Sequence, residues 1–79
     1  MRTKMRTTLD AMRMGQEGVV TQVKGEGVLR CRLLDMGLIP KTKVKVVKFA
    51  PLGDPMEIFL RGYELTIRKG DASMIEVEV

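Results

Sequence analysis

Turn-forming residues cut every apolar run in this chain short, and that punctuation limits it to small elements joined by tight connections. Gly15 and Gly18 bracket a turn ahead of the β-branched run Val19, Val20, Thr21 and Val23, which predicts a first strand. Gly25 and Gly27 break it. Leu29, Leu33 and Met36 then recur at helical spacing, flanked by Cys31, Leu34 and Leu38, and Gly37 and Pro40 end the helix near Met36. Strand-formers interleaved with lysine run from Lys43 to Phe49, and Pro51, Gly53, Asp54 and Pro55 form a stiff loop after them. From Met56 to Arg61 the alternation is clean, with Met56, Ile58 and Leu60 on the inward face and Glu57, Phe59 and Arg61 on the other. A two-residue turn at Gly62 and Tyr63, glycine first, returns the chain to Leu65 and Ile67 on the same inward face. After the break at Gly70, Asp71 and Ala72, Ile75, Val77 and Val79 alternate with Glu76 and Glu78.

The predicted fold is therefore mainly β, with about five antiparallel strands and one short helix between the first and second. Strands this short and few suit a small closed or nearly closed barrel, which also removes the exposed edges an open sheet would carry. At 79 residues one compact core is all the chain can build. The 44% hydrophobic and 30% charged residues lie in the globular range, and no apolar run approaches the length of a membrane helix. Met1 to Thr8 show no periodicity and read as a flexible basic leader, with the ordered domain from Leu9 to Val79.

The formal net charge of +4 raises the question of nucleic acid. Arg2, Lys4 and Arg6 supply most of the excess, and beyond them basic residues outnumber acids by one. Lys41, Lys43, Lys45 and Lys48 come closest to a basic face and read as solvated strand and turn positions, so nucleic acid is not the expected partner. Histidine is absent and Cys31 is the lone cysteine, so no internal disulfide forms and a reducing, cytoplasmic setting is expected. Cys31 and Ser73 have no histidine as general base, and Gly25-Glu26-Gly27 lacks the lysine and hydroxyl of a phosphate loop. The residues point to neither catalytic nor metal-binding chemistry; Asp10, Glu17, Glu26 and Asp35 read as surface acids.

What remains is a contact surface. Two prolines and a glycine hold Pro51, Leu52, Gly53, Asp54 and Pro55, and a loop so held loses little entropy on binding. Beside it stand Leu34, Met36 and Leu38 of the helix region, although Leu33, Met36 and Leu38 also suit a buried stripe; Leu34 lies off that line and becomes the first interface candidate if exposed. Phe59, on the polar face of its strand, either packs under the helix or leader or meets a partner.

Three segments carry a resemblance: Arg32-Leu33-Leu34-Asp35-Met36-Gly37-Leu38-Ile39-Pro40, Ala50-Pro51-Leu52-Gly53-Asp54-Pro55, and Arg61-Gly62-Tyr63-Glu64-Leu65-Thr66-Ile67-Arg68-Lys69. In order and spacing they resemble the ferrous iron transport protein A (FeoA) family, from about Leu9 to Val79. The resemblance implies an SH3-like barrel in the prokaryotic cytoplasm, held peripherally at the inner face of the membrane by its partner, the membrane ferrous iron transporter FeoB with its cytosolic GTPase-bearing part. It implies no intrinsic cofactor, ferrous iron being associated through the transport system, and leaves self-association open. One departure stands out: Lys41 occupies the position after Pro40 where the family usually has glycine, and lysine predicts an ordinary type I turn. The alternatives are a transition-metal-responsive regulatory domain and a nucleic-acid-binding barrel using Lys41 to Lys48.

Overall fold

The computed structural model describes residues 5–79, and the start of the leader, residues 1–4, lies outside it. Six antiparallel strands form one sheet: β1 (Arg6–Thr8), β2 (Glu17–Val23), β3 (Lys43–Phe49), β4 (Met56–Leu60), β5 (Tyr63–Ile67) and β6 (Ile75–Glu78), in the spatial order β1-β6-β2-β3-β4-β5. All five predicted strands are present. The sixth is a correction, because Arg6–Thr8, assigned to the leader, pairs with β6 through Arg6 opposite Glu78 and Thr8 opposite Glu76. Three residues are too few to show a period. It is the partner strand that orders them.

The helix α1 (Gly27–Asp35) lies between β2 and β3 as expected. It ends in a Schellman arrangement: Gly37 takes φ +98°, its N–H donates to the Leu34 carbonyl, and the Leu38 N–H donates to Leu33. A four-residue helix α2 (Lys69–Ala72) occupies what the sequence marks as a plain break. The Asp54 carboxylate, distant in sequence, accepts the Lys69 backbone N–H at 2.9 Å and satisfies one of that helix's unpaired donors.

Alternation decides which side chains enter the core. Met56, Ile58 and Leu60 of β4 are buried, as are Val44 and Val46 of β3, Val20 and Val23 of β2, and Ile75 and Val77 of β6. Leu33, Leu38, Leu9 and Ala72 fill the same cluster from the helices and turns. Each such aliphatic side chain removed from water contributes roughly 1.5–3 kcal/mol. Bulges between Val20 and Gln22 and between Val46 and Lys48 interrupt the register, so that Thr21 and Val47 are extra residues in their strands. A bulge bends its strand and increases local twist, which curls one sheet around one core.

Three local expectations change. Gly18 does not belong to a turn: it sits inside β2 opposite Val44, and a Cβ there would meet Val79 Cγ1 at 3.0 Å and the Glu78 carbonyl at 3.2 Å. The β4–β5 turn is centred one residue earlier, at Arg61 and Gly62, with φ +50° and +87° and with Leu60 opposite Tyr63. Positive φ at both positions gives a mirror-image turn that matches strand twist, in place of the glycine-first turn expected. Lys41 takes φ +74° and not an ordinary type I geometry. Its N–H donates to the Val20 carbonyl at 2.6 Å, and Val20 N–H donates to Thr42 at 2.8 Å; these bonds hold a lysine where glycine is easiest.

Candidate partner-binding surface

The contact surface expected from sequence divides. Leu38 is fully buried in the core, and Leu34 and Met36 are half-buried and packed against it. Leu38 therefore offers nothing to a partner, and the condition that would have made Leu34 an interface residue is not met. The loop fares differently. Leu52 is 97% exposed, and Pro51, Asp54 and Pro55 are exposed around the half-buried Gly53. Two backbone bonds, Ala50 N–H to Pro55 and Gly53 N–H to Ala50, close the loop, and Asp54 ties it to α2.

Phe59 lies on the outer face of the sheet, 43% exposed, beside grooves whose linings include no residue of α1 or of the described leader. It is shared by two adjoining shallow grooves. One is lined by Met14, Gly15, Val46 and Val47 with Lys45, the other by Glu17, Lys43, Lys45, Leu60 and Arg61. Met14 is 64% exposed, so three apolar side chains, Met14, Val47 and Phe59, gather on a face the alternation reserves for polar ones. The sequence reading missed Met14 and Val47. Val47 follows Lys43 and Lys45 at the outward positions of β3, and the bulge brings Lys48 to the same face, opposite Glu57.

The charges around this patch are unevenly compensated. Lys43 Nζ is 3.0 Å from Glu17 Oε1 and Lys48 Nζ is 3.4 Å from Glu57 Oε2. Lys45 stands in register between Glu17 and Phe59, yet among the described residues it has no ion-pair partner, because the Glu17 carboxylate turns to Lys43. Arg61 likewise has no carboxylate partner; its guanidinium donates weakly to the Thr42 hydroxyl at 3.5 Å. Glu64, opposite Phe59 on β5, supplies the acid at the far edge of the row. Among the described residues no cluster of three His, Cys, Asp or Glu side chains is placed to hold a metal ion, and Cys31 is exposed on α1. No helix of the described residues is long and apolar enough to cross a membrane.

The structure is a small curled β sheet with a capping helix and an outer face that is apolar and partly basic. The chain belongs to the FeoA domain family, which matches residues 7–79. That family takes part in ferrous iron transport as a small accessory domain. A curated relative from Porphyromonas gingivalis, an Fe(2+) transport protein A/Fe(2+) transporter FeoB fusion protein, is 38% identical over 71 residues; these cover 90% of this chain and 8% of that protein. The NMR structure of a FeoA-like protein from Clostridium acetobutylicum superposes with a TM-score of 0.88 at 35% identity, covering 99% of this chain and 90% of that one. Stenotrophomonas maltophilia FeoA, described as a prokaryotic SH3 domain protein, shares the fold at 21% identity and a TM-score of 0.80, covering 90% of this chain and 88% of that one. The SH3-like barrel follows.

Proposed function

We propose that this chain binds the cytosolic, GTPase-bearing part of a FeoB-type ferrous iron transporter and alters its assembly or nucleotide-dependent gating. The observation that carries the reading is covalent: in the P. gingivalis relative a homologous domain and the transporter are one polypeptide. A tether raises the effective concentration of two modules to the millimolar range, an arrangement that serves partners whose separate affinity is modest. Ferrous iron enters as the transporter's cargo, and this chain is assigned no cofactor and no catalytic step. Its place is at the cytosolic face of the membrane, held there by the transporter.

The test is ferrous iron uptake in cells that carry the transporter with and without this chain. Loss of transporter-dependent uptake on deletion, restored by the intact chain and not by a variant that no longer binds the transporter's cytosolic part, is the expected result. Unchanged uptake together with no binding would overturn the reading.

A further inference from the structure

We infer that the outer-face groove receives an acidic, aliphatic segment of a protein partner, its apolar side chain seated on Met14, Val47 and Phe59 and its carboxylates on Lys45 and Arg61. The inference rests on the reading of the chain as a transporter-binding module and names the surface and chemistry involved. Two independent features select the occupant. Met14 and Phe59 lie exposed, with the half-buried Val47 beside them, on a face where outward strand positions are ordinarily polar, a pattern that marks contact surfaces. The cations flanking it, Lys45 and Arg61, lack carboxylate partners among the described residues, while neighbouring Lys43 and Lys48 are paired.

An incoming carboxylate supplies the missing charge, and Glu64 at the β5 end repels it there, so the groove orients its ligand toward Lys45 and Arg61. Nucleic acid fits less well. Two uncompensated cations neutralise only about two phosphates, too few for the electrostatic footprint a phosphate backbone requires.

The experiment titrates the isotopically labelled chain with the transporter's cytosolic part, following backbone amides. The same chain is then titrated with a synthetic 12-residue peptide of glutamate and leucine, its lysine-and-leucine counterpart and a single-stranded RNA of matched length. Expected are shifts at Gly15, Lys45, Val47 and Phe59 with the transporter part and the glutamate peptide. Lys45→Glu and Phe59→Ser, both at exposed positions, are each expected to weaken binding at least tenfold while the spectrum stays folded. Transporter binding at full strength by both variants, with shifts confined to α1 or the Pro51 to Pro55 loop, would overturn this inference and leave the proposed function standing. Equal binding of the lysine peptide, or binding of RNA alone, would overturn the assigned chemistry. Absence of any shift with the transporter part would remove both readings.

Discussion

The Tyr63 hydroxyl donates a hydrogen bond to the Met36 carbonyl, tying the first residue of β5 to the last turn of α1. That oxygen closes a gap between two elements that no strand pairing joins. Gly37 lies directly beneath the bond: a Cβ at this position would come within 2.8 Å of the same hydroxyl. Tyr63 and Gly37 therefore act as a pair, one supplying the donor and the other the space.

Tyr63→Phe is expected to lower stability by about 1 kcal/mol, the usual net worth of one hydrogen bond, and to speed amide exchange in the last turn of α1. Gly37→Ala is expected to cost more, roughly 2–3 kcal/mol, from left-handed strain and the encroachment on Tyr63. In the Tyr63→Phe background the same alanine is expected to cost measurably less, because the atom it meets is gone. Urea denaturation of the four proteins of this double-mutant cycle gives the coupling directly.

Lys41→Gly is expected to stabilise the fold. A lysine at φ +74° carries about 1–2 kcal/mol of strain, and the extra freedom glycine brings to the unfolded chain returns part of it, leaving a gain of roughly 0.5–1 kcal/mol. A shift of the denaturation midpoint to higher urea at unchanged slope is the measurement.

Gly18→Ala is expected to destabilise by about 1–3 kcal/mol although its backbone suits any residue, since the new methyl meets the Glu78 carbonyl and Val79 across the sheet. Loosening of β6, read as faster exchange at Val77 and Val79, accompanies it.

Ile58→Asp is expected to leave the chain unfolded, because it places a carboxylate without partners at a fully buried position. Glu57→Gln, one residue away on the other face, loses only a solvent-screened pair with Lys48 and is expected to change stability by less than about 0.5 kcal/mol. Circular dichroism of the two variants tests the register of β4.

The core was legible because it follows from alternation: Met56, Ile58 and Leu60 needed only their spacing, and Gly37 and Pro40 only their backbone limits. What escaped reading depends on groups far apart in sequence. Arg6–Thr8 becomes a strand because β6 lies alongside, α2 forms where Asp54 reaches Lys69, and Lys41 turns left-handed because Val20 supplies its bonds. In the candidate surface, the burial of Leu38 follows the apolar stripe it shares with Leu33, and Val47 follows the alternation of Lys43 and Lys45. The choice between a packed and an exposed Phe59 depended on what lies over its face of the sheet, which local sequence does not carry.

The most direct test of the central claim is a calorimetric titration of the intact chain into the cytosolic part of the FeoB transporter, with and without guanine nucleotide. Saturable binding with a dissociation constant of about 1–100 μM, weakened at least tenfold by Lys45→Glu, is the expected result. No heat and no mobility change at about 0.5 mM in either nucleotide state, well above that range, would contradict the claim.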